Sequence, residues 1–241
     1  DCSLILKSEK RRTTEKIRIL AQNNQQLLRI DEEEIEWITE EEVNKIVGKI
    51  EERIQSFNAV ILSDYMKGVL SETMCRRIID IARNNNIPVF CDVKDPKINK
   101  YKGSTLMKPN KKELNMLTGM PVSTEDEIKQ ACEALSIKCE CTYVLATLGS
   151  RGMALYMRKT GDIEFITAES RAVYDVSGAG DTVISYLVAC ISSGIDIKEA
   201  VRYANKAAGI KVEKVGTATV TLDEMERNIY SENLLSQTEK K

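Results

Sequence analysis

The run Tyr174-Asp-Val-Ser-Gly-Ala-Gly-Asp-Thr182 carries the most pointed chemistry in the chain. Two glycines separated by one alanine let the backbone approach a ligand closely. The almost wholly apolar segment that follows, to about Ser193, predicts a helix opening straight from this loop. The amides of Gly178, Ala179 and Gly180 would then point together at the positive end of that helix, an anion hole. Asp181 comes next and sets a carboxylate beside whatever the amides bind. Such a pairing suits phosphoryl transfer, in which the amides stabilise charge on the moving phosphate and the carboxylate takes the acceptor hydroxyl's proton. Without a ligand, the same residues describe a tight strand-to-helix turn.

Four further groups of residues fit phosphate or nucleotide chemistry. Asn110 and Glu113, three apart at a predicted helix start, share one face and could reach a hydrated Mg²⁺ together; the same spacing also makes a capping box. Lys111 and Lys112 lie between them, near phosphates or on the surface. Thr147-Leu-Gly149 follows an apolar strand, at the edge where open α/β sheets bind ligands. Asn205, an amide among alanines, reads as a contact to a purine edge or as a satisfied buried side chain. Lys16, Arg18 and Arg29 put three positive charges on a predicted hairpin, a phosphate clamp or a basic exposed face, and Lys67 in Asp64-Tyr-Met-Lys-Gly68 divides the same way.

Composition narrows the chemistry. The 241 residues contain no histidine, which removes Ser-His-Asp and Cys-His catalysis, His-ligated zinc and any nucleotidyl transfer built on H-x-G-H. With 35 Lys+Arg against 37 Asp+Glu, there is no electrostatic case for nucleic acid or an anionic membrane. No apolar run reaches the ~18 residues of a membrane span. Cys2, Cys75, Cys91, Cys132, Cys139, Cys141 and Cys190 form an odd set without C-x-x-C, as expected of reduced thiols in a cytoplasmic protein.

The elements that must position these groups follow from periodicity. Lys16–Leu20 and Gln26–Ile30 alternate as a hairpin with one face covered. Twelve residues from Asp31 carry eight carboxylates and read as a solvated helix start, followed by Val43, Ile46, Val47, Ile50 and Ile54 at helical spacing. From Phe57, apolar strands at Ala59–Leu62, Pro88–Cys91, Thr105–Met107 and Tyr143–Ala146 alternate with helices from Ser71, Lys111 and Ser123, the last with Asp126 closing a capping box. Gly152–Met157 and Asp162–Thr167 predict a hairpin around Lys159-Thr-Gly-Asp162, and helices follow from the Gly178 loop, Asp196 and near Asp223. The expected fold class is α/β, a mostly parallel sheet with helices on both faces. The expected division is a lid-like β hairpin at 1–31, a core at 32–230 and a polar tail at 231–241.

Asp175-Val-Ser-Gly-Ala-Gly-Asp-Thr182 resembles the C-terminal signature of the ribokinase (PfkB-type) carbohydrate kinases. Asn110-Lys-Lys-Glu113, Thr147-Leu-Gly-Ser-Arg-Gly152 and Ala204-Asn-Lys-Ala-Ala-Gly209 resemble, in order, that family's N-x-x-E, T-x-G-x-x-G and adenine-flanking segments. Thr13–Arg18, Gln25-Gln26, Arg29–Asp31, Ser63–Gly68 and Lys214–Thr219 carry a narrower likeness to the kinase domain of bacterial heptose 7-phosphate kinases of the ADP-heptose pathway. The resemblance implies a ribokinase-like fold with a remnant lid hairpin over the sugar. It implies a kinase that uses ATP and Mg²⁺ on the anomeric hydroxyl of D-glycero-D-manno-heptose 7-phosphate, with Asp181 as base and Asn110, Lys111, Lys112, Glu113, Thr147, Gly149 and Asn205 on the nucleotide side. Lys16, Arg18, Arg29 and Lys67 would meet the sugar phosphate. The carbonyls around Asp175 would suit a monovalent cation, and the lid a homodimer. The family's N-terminal portion, with its first strands and sugar contacts, has no counterpart in this sequence, and Asp92-Val-Lys94 followed by Asp95-Pro-Lys97 departs from the family's D-P-K-G. Another sugar kinase of the family, or a non-catalytic sensor of nucleotide or sugar on the same fold, is the alternative.

Overall fold

A computed structural model describes residues 1–8, 10–22, 26–169 and 173–229. Alternation at the start of the chain yields β1 (Glu15–Leu20) and β2 (Gln26–Glu32), an antiparallel pair set apart from the main sheet. Then come α1 (Glu40–Arg53), β3 (Val60–Ser63), α2 (Glu72–Asn84), β4 (Val89–Asp92), β5 (Leu106–Lys108), α3 (Lys111–Thr118) and α4 (Glu125–Cys139). β6 (Tyr143–Thr147), β7 (Met153–Met157), β8 (Asp162–Ile166), α5 (Ala179–Ser192) and α6 (Ile197–Val212) follow, and 222–229 are helical. The six-stranded sheet runs β3-β4-β5-β6-β7-β8, parallel as far as β6 and antiparallel after it. No helix among the described residues is long and apolar enough to cross a membrane.

Period-2 alternation divides the core between the two faces of this sheet. Val89, Cys91, Met107, Val144 and Ala146 pack with the buried faces of α1, α2 and α4, whereas Phe90, Leu106, Leu145 and Leu155 pack with α5 and α6. Cys75, Cys91, Cys132, Cys139 and Cys141 are buried. Burial pushes the thiols of Cys75, Cys132 and Cys141 up to about 12, so they are inert fillers.

Three local expectations are corrected. The first hairpin forms, but neither face is covered: Ile17, Ile19, Leu28 and Ile30 are all more than two-fifths exposed, because two strands alone offer nothing to pack against. The acidic run is not one helix start. Asp31 and Glu32 finish β2, and only Glu40, Glu41 and Glu42 lie in the first turn of α1, behind Thr39, whose side chain caps the Glu42 amide. The capping box of α4 sits one residue later than expected, on Thr124 and Glu127, because the longer glutamate reaches back to the Ser123 and Thr124 amides at 2.7 and 3.0 Å. The expected turn centred on 23–25 and the expected tail at 231–241 lie outside the described residues.

The connection from β4 to β5 contains no α-helix. It carries a short 3₁₀ turn, Ile98–Tyr101, and a buried ionic cluster. Lys100 Nζ lies 2.6 Å from Asp64 Oδ2 and 2.8 Å from Asp95 Oδ2, and donates to Leu70 O at 3.0 Å. The Tyr101 hydroxyl also donates to Asp64. Burial alone would raise the Asp95 carboxyl and lower the Lys100 ammonium, but their mutual hydrogen bonds win, holding Asp95 below and Lys100 above the ordinary values.

Replacing Lys100 by Met should therefore destabilise the fold by about 3–5 kcal/mol, the cost of leaving buried carboxylates without their counter-ion. Asp95 contributes fully above its unfolded value near ~3.9 and loses its contribution as pH falls through the lowered folded one. Lys100 contributes fully below ~10.4 and loses its contribution as pH rises through the raised one. The gap between wild-type and Lys100→Met denaturation midpoints should be widest between those limits. A gap independent of pH, or below ~1 kcal/mol, would dissolve the cluster as a stabilising unit.

Candidate functional site

Parallel strands end their carboxyl termini at one edge, and crossover loops deliver side chains there. Here that edge collects Ser63, Asp92, Lys108 and Thr147, the last residues of β3 to β6, and faces the N-terminus of α5. A cleft of about 1070 Å³ opens alongside, bordered by Asp181 and Gly178 of the glycine loop, Tyr65 and Lys94 from the sheet edge, and Arg18 and Arg29 from the hairpin.

The glycine loop is built as its spacing requires. Gly178 is the N-cap of α5 with φ 79°, a left-handed conformation that only glycine adopts without strain. The Ala179 amide, however, donates to Val176 O at 3.2 Å. Of the three amides expected to form an anion hole, those of Gly178 and Gly180 have no described hydrogen bond, so two rather than three are free to bind an anion. Beneath Gly180 lies a second buried ion pair, Lys108 Nζ to Asp92 Oδ1 at 2.8 Å; a Cβ at Gly180 would sit 3.3 Å from that amine. The absence of a side chain at 180 therefore lets the loop rest directly on a buried cation.

Asp181 is exposed in the cleft, and its Oδ1 accepts the Tyr65 hydroxyl at 2.6 Å. Tyr65 reaches it from a tightly specified turn. Asp64, fixed by Lys100, accepts the Met66 amide at 2.7 Å, and Met66 is left-handed with φ 54°. At Gly68 (φ 87°) any Cβ would run into Glu36 O, so the return of the turn demands glycine. Lys94 Nζ lies 4.1 Å from the Tyr65 ring centroid. Burial, then the hydrogen bond to Asp181, pushes the Tyr65 phenol up to about 12, so it stays a donor at neutral pH.

On the expected nucleotide side, Asn110 and Glu113 form a reciprocal capping box: Asn110 Oδ1 accepts the Glu113 amide at 2.9 Å and Glu113 Oε2 accepts the Asn110 amide at 2.7 Å. Burial, with Asp92 as a like-charged neighbour, pushes the Glu113 carboxyl above its usual range. A carboxylate so placed, with Oε1 outside the capping box, fits the water shell of a divalent cation. No group of three acidic or thiol side chains among the described residues forms a metal cage. Thr147 bridges to Asn110 in parallel register, Gly149 takes φ 63° just beyond, and Lys111 and Lys112 occupy the first turn of α3. Asn205 is buried and its Nδ2 donates to Thr167 O at 2.8 Å, the arrangement of a satisfied interior amide.

The basic hairpin is less free than its sequence suggests. Lys16 Nζ is held by Asp31 at 3.0 Å and Glu33 at 3.1 Å, Lys67 pairs with Glu33, and Arg29 Nε pairs with Asp31 at 2.9 Å. Arg18 pairs with no carboxylate among the described residues, and it stands directly across from Arg29 in the β1–β2 register. Like charges opposite one another are unfavourable by up to ~1 kcal/mol, a repulsion that an anion between them would relieve. Sequence reasoning missed Tyr65, Lys108 and Lys211 as parts of this edge and had marked Lys94 only as a departure from a family pattern. The three are ordinary polar residues in their local patterns, and only the Asp64–Gly68 run hinted at the first.

The description pfkB family carbohydrate kinase matches residues 1–225. The chain belongs to the pfkB family of carbohydrate kinases. Among curated relatives of this kinase family, the bifunctional protein HldE of Rhodospirillum rubrum is 39% identical over 230 residues, 95% of this chain and 46% of the relative. HldE of Aliarcobacter butzleri is 40% identical over 223 residues, 92% of this chain and 46% of the relative. The chain thus spans about half the length of the curated relatives it matches. Arabidopsis thaliana ribokinase, solved with ribose and ATP, shares the fold at a TM-score of 0.70 and 21% identity over 90% of this chain and 69% of that one. Phosphofructokinase-2 of Escherichia coli, solved with potassium, shares it at 0.67 and 17% over 79% and 62%.

Proposed function

We propose that this pfkB-family chain transfers the γ-phosphate of ATP to the anomeric hydroxyl of D-glycero-D-manno-heptose 7-phosphate, giving the 1,7-bisphosphate and ADP. The observation that carries the reading is one cleft with the Asp181 carboxylate and the Gly178 turn at one wall and an arginine pair at another. Its support in kinship is the likeness to HldE over nearly the whole chain. Asp181 takes the hydroxyl proton through the oxygen that Tyr65 leaves available, and the Gly178 and Gly180 amides meet the transferring phosphoryl group. Mg²⁺, when bound, neutralises phosphate charge; Glu113 Oε1 and Asn110 would hold its water, with Thr147 and Gly149 beside the nucleotide. Arg18 and Arg29 clamp the sugar's remote phosphate, while Lys16 and Lys67 act through Glu33 and Asp31 to hold the hairpin over the cleft. The exposed Ile17, Ile19, Leu28 and Ile30 face is the surface a second copy would cover in a homodimer through this lid.

Replacing Asp181 by Asn should leave ATP binding nearly intact and lower single-turnover phosphorylation by at least ~10²-fold, the scale of a lost general base. Near-normal turnover would remove Asp181 from the reaction. The Arg18→Ala protein should show a KM for heptose 7-phosphate raised by more than about tenfold with the KM for ATP unchanged, as expected for a lost charge-assisted contact. Equal losses on phosphorylated and neutral sugars would favour a ribokinase-type substrate instead, and binding without turnover of any sugar would favour a sensor. Sedimentation tests the lid interface: Ile19→Asp should shift a dimer to monomer, and a wild-type protein that is monomeric at micromolar concentration would refute it.

A further inference from the structure

Lys211, in the last turn of α6, is only 1% exposed and lies against the glycine loop: its Cε would be 3.6 Å from a Cβ placed at Gly178. Its Nζ donates to Gly216 O at 2.8 Å. Around this ammonium, two segments are stitched together. The amides of Tyr174 and Asp175 both donate to Val212 O, at 2.8 and 3.2 Å. Asp175 Oδ1 accepts the Ser177 amide at 2.8 Å and its Oδ2 accepts the Gly216 amide at 2.9 Å. Those amides, Ser177 first, hold the Asp175 carboxyl below the usual range, and the nearby charge of Lys211 adds to the effect.

The family resemblance implies a monovalent metal ion at the carbonyls around Asp175, and the oxygens of the adjoining 211–216 turn are already engaged. Gly216 O already accepts an ammonium, Lys211 O and Val212 O accept backbone amides, and both Asp175 oxygens are engaged. A potassium ion would have to sit beside a like charge already buried there. We propose that Lys211 is itself the resident monovalent cation of this loop: its ammonium holds the carbonyl of Gly216, whose amide in turn binds Asp175, and its stem packs under Gly178, so that it shapes the 174–178 segment without any bound metal. This rests on the reading of residues 178–180 as that anion hole, but the claim about the cation stands on structure alone. Lys211 is thus a positioning residue, acting through the backbone of the loop.

The test reads structure and leaves turnover aside. Thermal unfolding of the wild-type protein should be the same in potassium chloride and in choline chloride at equal ionic strength. Hydrogen exchange over residues 173–182 should likewise be insensitive to potassium. In Lys211→Ala that segment should exchange at least several-fold faster in choline, and titrated potassium should recover part of the protection by entering the vacated seat. Lys211→Gln, which keeps bulk and loses the charge, covers the case in which alanine does not fold. A saturable, potassium-specific stabilisation of the wild type would overturn the proposal. So would exchange in the variants equal to wild type, or a complete failure of potassium to protect Lys211→Ala. None of these readouts depends on which sugar is phosphorylated, so loss of the heptose reading would leave them standing.

Discussion

A single buried ammonium sets the geometry on which the cleft depends. Lys100 satisfies Asp64 at the end of β3 and Asp95 after β4, and binds Leu70 O just before the cap of α2. Each carboxylate would be costly alone in that interior. Neutralised together, they bring the β3 turn, the start of α2 and the β4–β5 crossover to one point. The Asp64–Gly68 turn is then tight enough to keep Met66 left-handed and to present Tyr65 outward to Asp181. An enzyme edge made of loops is here fixed from below by a buried ionic cluster.

The same principle recurs at two other points. Lys108 with Asp92 supports Gly180 from the sheet, and Lys211 with Gly216 supports Gly178 from α6. Two interior lysines therefore lie against the glycine loop, and a third holds the turn that faces it. Fixed positive charge near backbone amides strengthens an anion site in a low-dielectric setting, where solvent does not screen it. The glycines are required less for flexibility than for letting the loop lie directly on these cations.

What could be read in advance and what could not divides along the same line. The β7–β8 hairpin was legible because its turn residues and alternation are local, and the α5 loop was legible because Gly-Ala-Gly-Asp before an apolar helix has few other uses. The cap of α4 slipped by one residue because Asp126 and Glu127 are both acidic and only side-chain length separates them. Lys100, Lys108 and Lys211 escaped because composition assigns lysine to the surface, and their burial is decided by carboxylates and carbonyls elsewhere in the fold. Tyr65 escaped because its partner lies 116 residues further on, in a contact that no local pattern encodes. The exposed hairpin face is the opposite case: its alternation promised a covering layer that two strands cannot provide.

The hydrogen bond from Tyr65 has a stereochemical consequence. A carboxylate ordinarily offers two equivalent oxygens, so either flank could receive a proton. With Oδ1 of Asp181 already accepting the phenol, and that phenol remaining protonated across the neutral range, the pair is desymmetrised. Oδ2 is the oxygen that no described hydrogen bond engages. Under the proposed reaction, a hydroxyl entering the cleft would meet a one-sided acceptor, and the one that reacts would be set by which of them reaches that flank in line with the phosphoryl donor. Regiochemistry in such a site would then depend on Tyr65 through the carboxylate oxygen it occupies.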